Sequence, residues 1–195
     1  MKIGVYVGSF NPIHKGHIKI ANYLIENKYV DKVIIIPAGN YWHKKDLIDI
    51  SDRINMAKIY ENDNLIIDDT MNNFDYTYQI LNELKKKYPN YELNLIIGDD
   101  NLEKFHLWKN IDEILKHKVI VIPRNNNYQI YINKFLEKDH FVVTEEFPIQ
   151  NVSSTLIREL IENNKMDEVL EYIDKEVLDY INTNNLYRNE SKKIL

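Results

Sequence analysis

The chain has 195 residues, of which 44% are hydrophobic and 28% are charged, and its formal net charge is −5. This size and composition suit one folded domain and argue against a disordered or fibrous chain, while the acidic balance argues against a surface that binds nucleic acid over a long footprint. No cysteine is present, which excludes disulfides, thiolate metal sites and a thiol nucleophile.

Six short apolar runs rich in β-branched residues predict strands. They cover Lys2 to Val7, Lys32 to Ile36, Leu65 to Ile67, Leu93 to Ile97, Lys118 to Ile122 and His140 to Val143. Between them lie segments with helical periodicity at residues 18–25, 54–59, 78–84 and 111–115. Alternating strands and helices, with strands that are apolar on both faces, predict a doubly wound α/β fold with a parallel sheet.

The pattern changes after Pro148, where three helical segments follow at residues 153–163, 167–172 and 175–182. We therefore expect one domain over residues 1–187, with an α/β core (1–148), a C-terminal helical cap (149–187) and a frayed tail (188–195). No apolar run reaches the ~18 to 20 residues that span a bilayer, and the N-terminal run is too short for a signal peptide. We expect a cytoplasmic protein without membrane contact, and the sequence leaves a homo-oligomer open.

The loop after the first strand reads GSFNPIHKGH, from Gly8 to His17, and runs directly into a helix. Ligands of open α/β sheets collect at the carboxyl ends of strands, and a helix N-terminus favours phosphate. His14 and His17 are spaced i, i+3, so both imidazoles lie on one side of the first turn and can donate hydrogen bonds to an anion. Read alone, HxxH also fits two surface histidines or part of a metal site. The spacing is neither that of a Walker A loop nor that of GxGxxG.

A second motif, VSSTLIR from Val152 to Arg158, opens the cap. Ser153 is a suitable N-cap, and Thr155 and Arg158 lie one helical turn apart. Hydroxyls, backbone N–H groups and a guanidinium can therefore converge on phosphate oxygens. The alternative for this segment is a capped amphipathic helix with an exposed arginine.

Both motifs resemble those of the nucleotidylyltransferase superfamily, whose members carry GxFxPxHxGH after strand one and SSTxIR in the cap. With these separations, the chain from Met1 to Tyr187 resembles the bacterial nicotinate-nucleotide adenylyltransferases. The resemblance implies a Rossmann-like nucleotidyltransferase fold and an enzyme of NAD biosynthesis. Such an enzyme joins nicotinate mononucleotide to the AMP part of ATP and releases pyrophosphate. Its partners would be ATP and nicotinate mononucleotide, with Mg²⁺ entering with ATP and no dedicated metal-ligating residues.

Further segments carry the same resemblance: WHKK at residues 42–45, an SxxxR-like stretch ending at Arg53, Asp75-Tyr76-Thr77, Gly98-Asp99-Asp100, and the ending VLDYINTNNLY. The resemblance implies four catalytic residues, which are His14, His17, Lys44 and Arg158. The residues implied for ATP binding are Gly8, Ser9, Phe10, His14, His17, Gly98, Asp100, Ser153, Ser154, Thr155 and Arg158. The residues implied for nicotinate-nucleotide binding are Lys44, Arg53, Tyr76, Thr77, Trp108, Lys109 and Arg124. His43 and Lys45 are further candidates, although their loop also reads as an ordinary solvated turn.

Three departures from the family pattern concern the substrate. Asn11 stands where most bacterial members have aspartate, Asp75 replaces a serine, and Lys109 replaces a common aromatic residue. These departures leave open an adenylyltransferase that acts on nicotinamide mononucleotide. An adenylyltransferase for phosphopantetheine is a further alternative, although such enzymes usually have a shorter chain. An alternative of another class is a module that binds ATP without turnover. The presence of both histidines argues against that alternative, because binding alone does not need them.

Overall fold

The structure is a computed structural model that describes residues 1–39, 47–124, 128–148 and 151–188. Six parallel strands form one sheet, and all six predicted strands are confirmed. Their bounds are β1 (Lys2–Gly8), β2 (Lys32–Pro37), β3 (Leu65–Ile67), β4 (Glu92–Gly98), β5 (Lys118–Ile122) and β6 (Phe141–Val143). The order across the sheet is β3-β2-β1-β4-β5-β6, so consecutive strands run outward from β1 in one direction and from β4 in the other.

Helices cover both faces of the sheet, as the alternating pattern predicts. Those of the core are α1 (Lys15–Glu26), α2 (Ile50–Lys58), α3 (Thr77–Lys87), α4 (Ile111–Ile114) and α5 (Tyr128–Ile132), and those of the cap are α6 (Ser154–Glu162), α7 (Met166–Tyr172) and α8 (Lys175–Thr183). The described residues also form two 3-10 helices, Asp99–Leu107 and Lys138–His140. The two 3-10 helices and α5 were not predicted from the sequence.

The central strands are buried on both faces because their residues alternate between two apolar clusters. In β1, Tyr6 packs in one cluster while Ile3 and Val5 pack in the other. The first cluster also contains Leu24 of α1 and Ile157 of α6, so the cap and the first helix share one core. Burying a leucine side chain fully stabilises the fold by roughly 1.5 to 3 kcal/mol, so this shared packing fixes the cap against α1.

The strand order reverses between β1 and β4, and this reversal positions the site. On either side of it the connecting helices cover opposite faces of the sheet, so a crevice opens beyond the carboxyl ends of these two strands. The loop from Gly8 to His17 begins at this edge because it follows β1. Among the residues that the structure describes, no helix is long and apolar enough to cross a membrane.

Candidate active site

The two histidines of the first loop form a stacked pair at the N-terminus of α1. His14 is the N-cap, with an extended backbone, and His17 lies in the first turn. The ring centroids are 3.6 Å apart and the rings are inclined by 23°. The i, i+3 spacing thus brings both imidazoles together.

A hydrogen bond between the two residues fixes the tautomer of His17. The backbone N–H of His14 lies 3.2 Å from Nδ1 of His17. Because a backbone N–H can only donate, Nδ1 must accept, and a neutral His17 ring carries its proton on Nε2. The pair therefore offers an Nε2–H donor on His17.

Burial keeps both imidazoles neutral. His14 is only 4% exposed, and burial, with a smaller contribution from the Arg124 charge, lowers its pKa to about 3. The pKa of His17 is also well below its usual value, because of burial first and then of the nearby His14 and Arg124. At neutral pH the free protein therefore has two uncharged rings that act as hydrogen-bonding groups.

A cleft of about 440 Å³ opens beside His17, beyond the ends of β1 and β4. Eleven of the residues predicted for the site line it: Gly8, Ser9, Phe10, His17, Gly98, Asp100, Trp108, Arg124, Ser154, Thr155 and Arg158. His14 lies behind them and lines a small adjoining cavity with Gly16 and Val152. The N-termini of α1 and α6 both reach this region, which suits it to an anionic ligand.

The far wall of the cleft combines a carboxylate with a guanidinium. Arg124 Nη1 lies 3.6 Å from Asp100 Oδ2, with the side chains 43% and 50% exposed. A β-carbon at Gly98 would collide with the Asp100 carboxylate and would lie 3.0 Å from Arg124 Nε, so glycine permits this close approach. An ion pair this exposed contributes little to stability, so either partner can exchange it for a ligand at small cost.

The cap motif holds the first loop in place through backbone carbonyls. Ser154 Oγ donates to the carbonyl of Pro12 at 2.8 Å, and Arg158 Nη1 donates to the carbonyl of Asn11 at 2.7 Å. Arg158 Nη2 also donates to Thr155 Oγ1 at 3.3 Å. These residues therefore line the cleft and also support the loop that carries the histidines.

Ser153 has a different place from its neighbours in the same motif. Its hydroxyl accepts from the backbone N–H of Leu156 at 3.1 Å, which is the predicted N-cap arrangement. It does not line the cleft. Its geometry is that of a residue that starts α6 and so orients the helix N-terminus.

Arg53 lies almost completely buried, 2% exposed, beneath the loops that border the cleft. Its guanidinium donates to four backbone carbonyls, those of Ser9 (2.8 Å), Ala38 (2.6 Å), Gly39 (3.1 Å) and Ile48 (3.2 Å). Burial is the main reason that its pKa is lowered from the usual arginine value. The structure thus places Arg53 among backbone groups of three different segments, outside the lining of the main cleft.

The remaining residues predicted for the nicotinate nucleotide fall in different places. Trp108 lines the cleft and packs on Phe105, with ring centroids 4.9 Å apart. Thr77 is buried at the start of α3, and Tyr76 is 37% exposed with its ring stacked on Tyr78. Lys109 is exposed. Like Tyr76 and Thr77, it lies outside the lining of the cleft. Lys44, with His43 and Lys45, lies outside the described residues.

Three lining or supporting residues were not assigned from the sequence. Tyr6 lies in the cleft wall, and burial raises its pKa to about 12, so it stays protonated. Asn11 lines the cleft and is 3% exposed, and its side chain accepts from the hydroxyl of Tyr187 at 2.9 Å. The VLDYINTNNLY ending contains Tyr187, but a contact across 176 positions has no local sequence signal.

The described residues contain no group of three histidine, aspartate or glutamate side chains placed to hold a metal ion. The Asp100 carboxylate in the cleft pairs with Arg124. A metal ion at this site would therefore need most of its ligands from a bound nucleotide.

Comparisons with known proteins agree on one family. The sequence profile described as cytidylyltransferase-like matches residues 5–160. A Flavobacterium psychrophilum protein named probable nicotinate-nucleotide adenylyltransferase is 38% identical over 198 residues, covering 96% of this chain and 100% of the relative. A Fusobacterium nucleatum protein of the same name is 36% identical, covering 92% and 100%. The solved structure of Plasmodium falciparum nicotinic acid mononucleotide adenylyltransferase complexed with NaAD has a TM-score of 0.79 at 21% identity, covering 95% of this chain and 97% of that one.

Proposed function

Because the chain belongs to the cytidylyltransferase-like family, and within it to the nicotinate-nucleotide adenylyltransferases, we propose that the cleft beside His17 is where adenylyl transfer takes place. The chain is a nucleotidyltransferase of NAD biosynthesis. It moves the AMP part of ATP onto nicotinate mononucleotide and yields deamido-NAD and pyrophosphate. One observation carries the assignment of the site: a stacked pair of neutral histidines borders a cleft that two helix N-termini and two arginines also border.

The reaction brings mutually repelling anions together, so the site must hold them in line and stabilise charge. An oxygen of the nicotinate mononucleotide phosphate forms a bond to the α-phosphorus of ATP. The bond from that phosphorus to the bridging oxygen of the β-phosphate breaks, and the electron pair leaves with pyrophosphate. No covalent enzyme intermediate is required.

The residues around the cleft divide this task between them. His17 donates Nε2–H to an α-phosphoryl oxygen, and His14 supports it through the stacked ring and its backbone N–H. Thr155, Arg158 and the N-terminus of α6, which Ser153 caps, hold the departing pyrophosphate. The approach of negative phosphates favours the charged imidazolium and so raises the pKa of His17, which strengthens its hydrogen bond as charge develops.

Mg²⁺ is proposed to enter bound to ATP. The absence of a three-carboxylate or histidine cluster among the described residues fits a cation that the phosphates carry. When bound, the ion neutralises phosphate charge. The chain's own contribution is to place cationic side chains and N–H donors around the same phosphates.

Recognition of the two substrates is proposed to be divided among different residues of the cleft. Gly98 and Asp100 suit the adenosine ribose, because a carboxylate accepts well from hydroxyls. Trp108 offers a ring face for the pyridine, and Arg124, which also lines the cleft, offers positive charge. Arg53 would act on the nicotinate nucleotide through the loops that it holds. Tyr76, Thr77, Lys109 and the Lys44 loop are proposed to complete this side with ligand bound.

Residues 1–187 are proposed to work as one domain, which the core shared by α1 and the cap supports. As an enzyme that consumes ATP, the chain is proposed to act in the cytoplasm.

The experiment that tests this function is pyrophosphate release with ATP and Mg²⁺. Nicotinate mononucleotide, nicotinamide mononucleotide and phosphopantetheine are supplied in parallel at equal concentration. We expect strong preference for nicotinate mononucleotide. Preference for the amide would mean that Asn11, Asp75 and Lys109 redirect specificity, and no release with any acceptor would contradict the proposed substrates.

A matched pair of variants then separates an enzyme from an ATP-binding module. His17→Ala is expected to lower turnover by roughly a hundredfold or more while most ATP affinity remains, because the donor acts mainly on the transition state. His106→Ala, at an exposed position outside the cleft, is the control and is expected to leave turnover unchanged. Equal turnover in both variants would exclude His17 from the chemistry.

A further inference from the structure

The C-terminal end of the described chain reaches the loop that carries the histidines. The hydroxyl of Tyr187 lies 2.9 Å from Oδ1 of Asn11, a residue 176 positions earlier that is itself 3% exposed. Asn11 lines the cleft, and its backbone carbonyl already accepts from Arg158. The contact therefore joins the cap to the first loop through a side chain as well as through the backbone.

The direction of this hydrogen bond follows from a third partner. The backbone N–H of Ile48 also approaches Oδ1 of Asn11, at 3.5 Å. Because a backbone N–H can only donate, the oxygen of the Asn11 amide faces both partners, and the Tyr187 hydroxyl is a donor. Burial raises the pKa of that hydroxyl, so it keeps its proton and remains a donor over the physiological range.

Ile48 extends the connection to the segment before α2. Its carbonyl accepts from Arg53 Nε at 3.2 Å, and Arg53 Nη1 donates to the carbonyl of Ser9 at 2.8 Å. A closed set of hydrogen bonds thus runs from Asn11 to Ile48, to Arg53 and back to the first loop. Tyr187 enters this set from outside, at Asn11.

The backbone of Tyr187 also indicates a specific role. Its φ angle is 60°, in the left-handed region that a bulky residue rarely adopts. Such a conformation persists only where surrounding contacts hold it. The half-buried ring packs against the same apolar core as α1. The hydrogen bond from its hydroxyl to Asn11 fixes the orientation of the side chain.

We propose that Tyr187 is a positioning residue for adenylyl transfer, one that holds the histidine loop and the segment before α2 at a fixed spacing through Asn11. This rests on the proposed function of the cleft. Tyr187 does not line the cleft and acts through Asn11. Losing its hydroxyl leaves the ATP-binding groups present but less well aligned, so we expect kcat to fall more than KM rises.

The test compares two variants that each lose one hydroxyl from the cap. Tyr187→Phe removes the donor to Asn11. Tyr180→Phe is the matched control, since its hydroxyl joins α8 to α2 through Asp52 (2.8 Å) and Asn55 (3.0 Å) without touching the loop. We expect Tyr187→Phe to lower kcat roughly three- to tenfold, the size of one lost hydrogen bond, and Tyr180→Phe to leave kcat within about twofold. Equal kcat values for both variants would overturn the proposal.

A double-mutant cycle with Asn11→Ala shows whether the effect passes through Asn11. We expect Tyr187→Phe to have no further effect on kcat in the Asn11→Ala background, because its acceptor is gone. Asn11→Asp, which keeps an acceptor at this position, is expected to retain the sensitivity to Tyr187→Phe. Fully additive effects in the Asn11→Ala background would mean that Tyr187 acts elsewhere.

Hydrogen exchange separates a failure of this proposal from a failure of the proposed function. Amides of residues 13–17 and 47–48 are expected to exchange faster in Tyr187→Phe than in Tyr180→Phe, whatever the substrate. If the wild-type chain shows no turnover with any acceptor, the function fails, and these amides alone decide whether Tyr187 holds the loop. Unchanged exchange in Tyr187→Phe would overturn the positioning role.

Discussion

Burial of the histidine pair makes the stability of the protein depend on pH below about 6.5, the usual pKa of histidine. The folded-state pKa of His14 is about 3 and the usual value is 6.5. Below pH 6.5 the unfolded chain therefore binds a proton that the native protein does not bind. The free energy of unfolding falls as the pH falls, down to about pH 3.

The magnitude follows from this difference in pKa. For His14 alone, the linkage relation gives a loss of about 1.4 kcal/mol in the free energy of unfolding between pH 7.5 and 5.5. The pKa of His17 is also lowered, so it adds to the loss in the same direction. His14→Gln removes the titrating group and keeps a neutral polar side chain, so this variant should lose about 1.4 kcal/mol less than the wild type over the same range.

Urea titrations of the wild type and His14→Gln at pH 7.5, 6.5 and 5.5 measure the effect. His106→Gln, at an exposed position, controls for the loss of any histidine and is expected to follow the wild type. If His14→Gln and the wild type lost the same stability between pH 7.5 and 5.5, the reasoning from a buried, neutral His14 would be refuted.

Three other changes test the supports and the walls of the cleft. Arg53→Lys keeps a positive charge but loses the fork that reaches four carbonyls; it should lower the free energy of unfolding by about 2 to 4 kcal/mol in urea titration, and an unchanged midpoint would contradict this. Gly16→Ala places a β-carbon 2.7 Å from Val152 Cγ1. This clash should lower the free energy of unfolding by about 1 to 3 kcal/mol, as measured by thermal unfolding. Adding Val152→Ala should restore most of that loss. Asp100→Asn loses an exposed ion pair with Arg124, so the free energy of unfolding should change by less than about 1 kcal/mol. Calorimetry should show ATP binding weakened roughly tenfold. Intact binding would exclude Asp100 from ATP recognition.

The strands could be predicted because each is an uninterrupted run of residues that a sheet covered on both faces must bury. The 3-10 helix from Asp99 to Leu107 could not, because its buried Leu102 and Phe105 are too few to define a period. Helix α5 has only five residues, and one of them, Ile132, is buried. Elements this short form because neighbouring segments pack on them, and their own sequence does not require them.

The candidate site divides in the same way between local and distant contacts. His14 and His17 could be placed together because three positions separate them on one helix turn. The contacts of Ser154 and Arg158 with the first loop could not be predicted, since their partners are backbone carbonyls 142 and 147 positions away. Every residue has a carbonyl, so the sequence carries no mark of which one will be used. For the same reason, the burial of Arg53 against backbone carbonyls could not be predicted from the sequence.

The distance along the chain between the two halves of the site also sets an order of events during synthesis. At roughly 5 to 20 residues per second, a ribosome needs about 7 to 30 seconds to proceed from the Asn11–Pro12 turn to Ser154 and Arg158. Throughout that interval the histidine loop exists without the hydroxyl and guanidinium that hold it. A nascent chain or fragment that stops before residue 154 is therefore expected to bind ATP poorly even when its sheet has formed. The cleft beside His17 is therefore complete only after Arg158 has been translated.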